Sequence, residues 1–394
     1  MPARGLTICV LTSSFPSHPE DQVAAPFLPP FLEALQSHEV RTVVYTQDRP
    51  GDKKPVIDAP IAWFPWSCSD TALSQLKPYV PTHLWSMARL GWRGRQYIVP
   101  WLQQHQVDLC LAAWAVPSGY FAYHAKKFLG IPYCVWALGS DIYGWAQYPV
   151  LRTLIRHILQ HADGLFADGI DLSNRVHQLA GRPCAFLPSV RPLTEDVPAT
   201  AVEVDPTQTN FLFVGRWEKI KGIDVLIEAM KLLRHAGVTA HLYIVGKGSL
   251  KGFLEQKIHA YSLTDAVFLR EDVPTATLRG YLQRCDCLVI PSRSDSIHLI
   301  FSEGLHAKIP MIVSATGDLP TLVQRFHLGY VIPPDNPVQL KQALEAFICN
   351  RHSKTQALPS FDEAKALFNL SRAAADFLCQ AEKIVHRSSP VSCS

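Results

Sequence analysis

Phe211-Leu-Phe-Val-Gly-Arg-Trp-Glu-Lys-Ile-Lys-Gly-Ile-Asp-Val-Leu-Ile-Glu-Ala-Met230 contains an apolar strand, a glycine turn, two cations and an amphipathic helix, in that order. Strand-turn-helix units of this kind build parallel α/β sheets. Arg216 can form two hydrogen bonds to phosphate oxygens, Lys221 supplies a point charge, and the helix N-terminus adds backbone donors. The stretch therefore predicts a diphosphate site, although solvated loop charges explain the cations about equally well.

The pattern of short apolar runs followed by helical segments occurs twice along the chain. In the first half it predicts strands at 6–12, 40–45, 108–112, 132–136, 164–167 and 184–187. In the second half it predicts strands at 211–214, 241–245, 266–269, 287–290 and 311–314. The predicted fold is α/β, with two Rossmann-like domains whose parallel sheets face a central cleft where ligands bind.

Length and composition agree with two domains. A chain of 394 residues exceeds what one core usually supports. We predict an N-terminal domain at 1–190, a linker at 191–210, a second domain at 211–350 and a C-terminal helix at 361–386 that packs back toward the first domain. The formal net charge of +3 gives no whole-chain argument for nucleic acid as a partner. No apolar stretch approaches the roughly 20 residues of a spanning helix, and 1–14 is a poor signal peptide, so a cytoplasmic protein is expected.

A second polar stretch, Pro291 to His306, follows the predicted strand 287–290. It places Asp295 in a loop and Glu303 at the expected start of a helix. A carboxylate there can accept hydrogen bonds from a ribose diol, and the backbone amides between 297 and 300 can face phosphate or sugar oxygens. The spacing alone is explained better by an ordinary turn aspartate and a helix-start glutamate.

Together the two stretches resemble the retaining GT-B glycosyltransferases of the large fourth family, the glycosyl transferases group 1. The residues that carry this resemblance are, in chain order, Gly215-Arg216, Lys221-Gly222, Gly246-Lys-Gly248, Pro291-Ser292, Asp295 to Glu303 and Lys308-Ile309-Pro310. The resemblance covers the second domain and, more loosely, the first.

This resemblance implies a hexosyl transfer, with retention and without a metal, from a nucleotide-diphosphate sugar to a glycan, lipid-linked or small-molecule acceptor. Arg216 and Lys221 would hold the diphosphate, Glu303 the ribose, and Asp295 the transferred sugar. The donor site would also include Gly215, Gly246, Ser296, Ile297, His298 and Leu299. The nucleotide sugar is a co-substrate rather than a cofactor, and its UDP, GDP or ADP type stays undecided.

In the first domain the resemblance assigns four residues to the acceptor side or the cleft: Asp21, Trp114, Ser118 and Asp141. The chain departs from the family pattern at Leu138, where a histidine is usual, at Asp295, where a glutamate is usual, and at His298, where a glycine is usual. These departures keep open an alternative, a non-catalytic GT-B protein that binds a nucleotide sugar or a glycan.

Segment 83–101 combines three tryptophans with Arg89, Arg93 and Arg95. One interpretation is an interfacial helix that contacts a membrane peripherally, at its inner face. The other is a crossover helix with arginines outward and tryptophans in the core, which we favour because Gly91 and Gly94 interrupt the apolar face.

Other site classes fit the sequence poorly. The glycines after strand 241–245 lack the spacing of a dinucleotide fingerprint. Glu303 with His306, or His157 with His161, supplies too few ligands for a metal site.

Overall fold

The computed structural model describes residues 5–19, 21, 24–48, 53–65, 80–191, 200–271, 273–294, 297, 299–350 and 359–388. The first half contains β1 Thr7–Thr12, α1 Leu28–Gln36, β2 Arg41–Gln47, β3 Ile61–Phe64, α2 Pro81–Gln104, β4 Leu109–Ala113, α3 Ser118–Leu129, β5 Tyr133–Ala137, α4 Pro149–His161, β6 Gly164–Ala167, α5 Ile170–Ala180 and β7 Ala185–Phe186. A π-helical turn at Ser140–Gly144 and a 3-10 turn at Trp145–Gln147 lie between β5 and α4.

The second half contains β8 Asn210–Val214, a 3-10 turn at Lys219–Lys221, α6 Ile223–His235, β9 His241–Val245, α7 Lys251–Ala260, β10 Val267–Arg270, α8 Thr275–Arg284, β11 Cys287–Ile290, α9 Leu299–Ala307, β12 Met311–Ser314, α10 Leu319–Arg325, β13 Gly329–Ile332, α11 Pro337–Asn350, α12 Phe361–Leu367 and α13 Leu370–Ser388.

The strands form two sheets, and every pairing within them is parallel. The first has the order β3-β2-β1-β4-β5-β6-β7 and the second the order β10-β9-β8-β11-β12-β13. Both orders run outward in each direction from the first strand of the half, as in doubly wound Rossmann folds. The α/β prediction with two parallel sheets is confirmed.

All eleven predicted strands are present with ends shifted by at most two residues, but β3 and β13 were not predicted. Both are edge strands of four residues, and each pairs with one neighbour only. Their side chains are mostly half-buried, whereas the central strand β4 is buried throughout. Partial burial at an edge does not by itself hide a strand from the sequence pattern, because the edge strands β7 and β10 are also mostly half-buried and were predicted.

The chain forms two compact units: unit 1, Met1–Arg191 with Asn369–Ser394, and unit 2, Pro192–Phe368. Unit 1 is therefore built from two separate parts of the sequence. Its last helix α13 packs on α1 and β6, where the Phe377 ring lies 5.8 Å from the Phe31 ring and 5.3 Å from the Phe166 ring.

The segment predicted as one helix at 361–386 is two helices, α12 in unit 2 and α13 in unit 1. Asn369 separates them because its side-chain oxygen accepts the Arg372 N–H at 2.9 Å, which caps the start of α13. The described part of the predicted linker, 200–210, is attached to unit 2, where the Thr200 N–H donates to the Ala276 carbonyl at 3.1 Å.

Helix α2 differs from the interpretation favoured for segment 83–101. Its core side is formed by Leu90, Gly94, Ile98 and Leu102, whereas Trp85 and Trp92 are 70% and 50% exposed. Gly94 is required on the core side because a Cβ there would lie 2.2 Å from the Phe121 ring. The helix turns its smallest residue inward and two tryptophans outward, so placing all the tryptophans in the core was wrong.

None of the helices in the described ranges combines the length and the apolar character that a membrane-crossing segment requires.

Candidate functional site

The predicted donor residues lie where the second sheet changes direction. β8 is bonded to β9 on one side and to β11 on the other, and the chain reaches them through connections that run in opposite directions. The loops at the carboxyl ends of β8 and β11 flank this switch point, which is the usual ligand position in an open α/β sheet. Gly215, Arg216 and Lys221 follow β8, and Pro291 follows β11.

Close backbone contacts fix the turn after β8. A Cβ on Gly246 would lie 2.0 Å from the Gly215 carbonyl oxygen, and a Cβ on Gly248 would lie 2.6 Å from the Trp217 oxygen. The Trp217 N–H donates to the Lys247 carbonyl at 2.9 Å. The two glycines after β9 are therefore required so that the loops after β8 and β9 can touch. This contact brings the predicted site residues Gly215 and Gly246 together.

Lys221 ends the 3-10 turn Lys219–Lys221, directly before α6. Gly222 then adopts a left-handed backbone with φ of 68°, and a Cβ there would lie 1.8 Å from the Pro291 carbonyl oxygen. Glycine is thus needed both for the turn and for the approach to the loop after β11. Lys221 is half-buried at the position where α6 begins, and the N-terminus of a helix attracts anions.

Arg216 forms an ion pair with Glu218, with a distance of 2.8 Å between a terminal guanidinium nitrogen and Oε1. The Arg216 side chain is 37% exposed and the Glu218 side chain 18%. A guanidinium has five N–H donors, so the contact with Glu218 leaves capacity for phosphate oxygens. The pair holds Arg216 in one orientation beside the turn.

The sequence interpretation missed Arg293, which joins the two loops. Its guanidinium makes a bidentate pair with Asp224, at 2.7 and 3.0 Å, and its Nε donates to Asp335 at 2.7 Å. It also donates to the Lys219 carbonyl, and its backbone N–H donates to the Ile220 carbonyl at 2.9 Å. The bonds to Asp224 and then to Asp335 raise the pKa of Arg293, so it stays charged. One side chain thus ties the loop after β11 to the turn that carries Lys221.

Glu303 lies inside α9 rather than at its start. The helix begins at Leu299, which places Glu303 in the second turn, so the predicted helix-start position was wrong. The Glu303 side chain is 1% exposed, and its neighbours Ser302 and Gly304 are also buried. The next residue, Gly304, lets α9 pack closely on β12, because a Cβ there would lie 2.7 Å from the Met311 methyl group. Burying a carboxylate costs folding free energy unless a charged or hydrogen-bonding partner compensates it.

Ile297 is buried and Leu299 is half-buried at the start of α9. The other three predicted sugar-site residues, Asp295, Ser296 and His298, lie outside the described residues.

In unit 1, Asp141 positions the backbone of two loops, those after β4 and β5. Its carboxylate accepts the Ala115 N–H at 2.6 Å and the Ile142 N–H at 3.1 Å, and the residue is 2% exposed. Burial raises the pKa of Asp141, and the backbone N–H donors partly oppose that rise. Asp141 therefore holds the loop after β4 to the turn after β5.

The other three residues predicted for the acceptor side or the cleft lie in the loops after β1 and β4 and at the start of α3. Trp114 has a φ of 71°, directly after β4. Ser118 is fully buried at the first position of α3. Asp21 accepts backbone N–H groups of Ala24 at 3.1 Å and Ser17 at 3.4 Å, which shapes the loop after β1. Leu138, the position where the family pattern has histidine, is half-buried after β5.

The described ranges contain no cluster of three or more histidine, cysteine or acidic side chains placed to hold a metal ion.

Comparison with known proteins gives a family match that lies within unit 2. Residues 200–359 match the family model described as glycosyl transferases group 1. An uncharacterized glycosyltransferase of Methanocaldococcus jannaschii is 23% identical over 63% of this chain and 68% of its own. Several further curated glycosyltransferases match over 32–42% of their own length, so the chain spans a minor part of those relatives.

Two solved structures share the fold over nearly the whole chain. Sucrose-phosphate synthase from Thermosynechococcus elongatus has a TM-score of 0.77 at 17% identity, over 98% of this chain and 100% of that one. Anabaena HepE in complex with UDP-glucose has a TM-score of 0.68 at 15% identity, over 96% and 100%. The group 1 match at 200–359 and the shared fold together support a glycosyltransferase with the GT-B fold.

Proposed function

We propose that the protein transfers a hexosyl group, with retention, from a nucleotide-diphosphate sugar to a hydroxyl acceptor. The observation that carries this proposal is the linked pair of loops at the switch point of the second sheet. The turn with Arg216 and Lys221 is held to the loop after β11 by the close approach of Gly222 to the Pro291 carbonyl. It is also held by the hydrogen bonds of Arg293 to Asp224 and Asp335, which we call the Arg293 clamp. Such a fixed cationic turn stabilises charge without reorganising during the reaction.

In this proposal the two cations bind the diphosphate oxygens. Arg216 offers a planar fork for two oxygens, while Lys221 and the amides at the start of α6 add charge and donors. Negative charge develops on the diphosphate as the sugar departs, and two cations there supply that stabilisation without a metal. Glu303 accepts hydrogen bonds from the ribose hydroxyls. Asp295 and the amides at the start of α9 bind hydroxyls of the transferred sugar.

The reaction breaks the bond between C1 of the sugar and the β-phosphate oxygen. A bond between C1 and the acceptor oxygen forms on the same face of the ring, and the acceptor proton passes to the departing phosphate oxygen. No protein nucleophile is needed for this sequence. Retention can be tested by assigning the anomeric configuration of the product by NMR; an inverted product would refute this part of the proposal.

A thermal-shift panel of UDP-, GDP- and ADP-sugars tests donor binding. The complex of HepE with UDP-glucose makes UDP-sugars the first candidates. A ligand that binds only the folded protein, at a hundredfold excess over its Kd, should raise Tm by about 5–10 °C. A flat response to the whole panel would contradict the donor assignment.

A second candidate is a GT-B protein that binds a nucleotide sugar without turnover. It is favoured by Leu138, an apolar residue where the family pattern has a histidine, and by Glu218, which already pairs with Arg216. Donor hydrolysis by the purified protein separates the two candidates. A thermal shift with release of free nucleotide supports the enzyme, whereas a shift without any release over hours supports the binding protein.

A further inference from the structure

Three neighbouring helices of unit 1 contain no acidic residue. They are α2, α3 and α4, and each carries lysine, arginine or both. Their cations are Arg89, Arg93, Arg95, Lys126, Lys127, Arg152 and Arg156. The whole chain has nearly balanced charge, at +3, so this is a local accumulation. An unbalanced basic surface of this kind attracts an anionic partner.

The three helices lie side by side over the same face of the first sheet. α3 packs against both α2 and α4, and all three insert side chains into one core cluster, through Leu90, Phe121 and Ile158 respectively. Their outer sides therefore belong to one surface, which we call the basic aromatic face. Arg95 and Lys127 are close enough across α2 and α3 that both lower the pKa of His124, after the larger effect of burial. Lys126 contributes less to the positive charge of this face, because Asp163 forms an ion pair with it at 2.7 Å.

The same face exposes large apolar side chains. Of the ten large hydrophobic residues that are exposed in the described ranges, six lie on these three helices. They are Leu84, Trp85, Trp92, Tyr97, Phe128 and Val150, with Val150 83% exposed and Trp85 70%. Exposed apolar residues are ordinary when scattered, but a concentration on one face marks an interaction surface.

The chemistry of the face selects one occupant. Tryptophan rings and arginines on the outer side of a helix suit the boundary between lipid headgroups and acyl chains. Single-stranded nucleic acid would use aromatic rings for stacking, which Leu84 and Val150 cannot provide. A membrane rich in anionic headgroups uses both the charge and the aliphatic residues.

We propose that the basic aromatic face docks the protein onto an anionic lipid bilayer, with Trp85 and Trp92 inserted at the interface. The inference does not depend on transferase activity, because vesicle binding reports it directly. It extends to α3 and α4 the membrane contact that was one of the two interpretations of segment 83–101, and the less favoured one.

Co-sedimentation with vesicles of phosphatidylglycerol and phosphatidylcholine, compared with phosphatidylcholine alone, tests this docking. The full-length protein should sediment with the anionic vesicles at low salt and be released at high salt. Arg89→Glu combined with Arg95→Glu should weaken binding at least about tenfold, because each basic residue near the surface contributes about a factor of five. Trp85→Ser combined with Trp92→Ser should weaken binding similarly.

Matched controls lie on exposed positions elsewhere. Arg284→Glu with Arg372→Glu controls for charge, and Phe253→Ser with Val338→Ser controls for apolar exposure. Both controls should bind like the unmodified protein. The proposal is overturned if the unmodified protein ignores anionic vesicles, if the controls lose as much binding as the face variants, or if a 30-nucleotide RNA displaces the vesicles from the face.

Discussion

Lys221 and Lys219 lie two residues apart on the same 3-10 turn, but Lys219 is exposed and Lys221 is half-buried at the start of α6. If Lys221 binds the donor diphosphate, Lys221→Ala should lower kcat/KM by about 10²–10³-fold, the usual effect of removing one preorganised charge. Lys219→Ala should keep turnover within about twofold. Steady-state rates of nucleotide release measure both, and equal effects of the two substitutions would contradict the assignment.

Glu303→Gln preserves the volume of a side chain that is 1% exposed and removes its charge. A hydrogen bond to a charged group contributes about 1.5–3 kcal/mol, so donor affinity should fall about 10–100-fold with little change in fold. Isothermal titration with the best donor of the panel measures the loss. Glu255→Gln, an exposed glutamate of the same unit, is the control. Unchanged affinity of the Glu303 variant would remove the ribose from its proposed role.

At the residue scale the sequence predicted the loop that carries Arg216 and Lys221, because a strand, a glycine and two cations are adjacent in the chain. It misplaced Glu303 within α9 because the helix starts at Leu299, after a loop shorter than expected. It missed Arg293 because the two partners of that side chain are 69 and 42 residues away. Local patterns describe a loop, whereas a clamp between loops exists only in the folded chain.

At the scale of elements, Arg293 connects the loop after β11 with the N-terminal end of α6. Arg293→Ala leaves Asp224 without its bidentate partner, and the pair is only about one-quarter exposed. We expect unfolding free energy to fall by about 1–3 kcal/mol and donor affinity to fall with it, because the Lys221 turn loses its tie. Urea denaturation and titration with the donor measure the two effects.

Arg234→Ala is the control for this clamp. Arg234 also makes a bidentate pair, with Asp265, but at the opposite end of α6. Arg234→Ala should lower the unfolding free energy less than Arg293→Ala does, because Asp265 is 66% exposed. Arg234→Ala should also leave donor affinity unchanged. A loss of affinity as large as that of Arg293→Ala would show that a general loss of stability, rather than the loop tie, is responsible.

The sequence predicted every strand that has a neighbour on each side, together with two of the four edge strands, β7 and β10. Eleven strands follow from apolar runs, and the two that do not, β3 and β13, are edges. Helix α2 shows what the sequence pattern could not predict, which is the side of the helix that faces the core. Its periodicity indicates a helix, but whether Trp85 and Trp92 face the core depends on Gly94 fitting against Phe121, which no local pattern contains. Packing between elements decides which side of a helix is inside.

On the scale of the whole molecule, α13 completes unit 1 from the far end of the chain. Phe377 is fully buried between Phe31 and Phe166. Phe377→Ala should destabilise unit 1 by about 3–5 kcal/mol through lost burial and the cavity left behind. The stabilisation of unit 2 by a donor should be unaffected. Thermal unfolding followed with and without nucleotide sugar measures both, and Phe253→Ala, at a 36% exposed position, is the control.

If Phe377→Ala instead gives one unfolding transition at lower temperature that the donor no longer stabilises, the two units unfold together. The expected result is a lower-temperature transition for unit 1 and an unshifted, donor-sensitive transition for unit 2.

The return of α13 also sets an order of events on the ribosome. Unit 2 occupies one continuous stretch, so every strand of its sheet has been synthesised before α13 begins to emerge. The larger part of unit 1 is translated first, yet the apolar surface around Phe31 and Phe166 stays uncovered until α13 leaves the exit tunnel. Exposed apolar surface on a nascent chain is what chaperones bind and what drives aggregation. The unit whose larger part is made first thus waits for a helix that is made after the whole of unit 2.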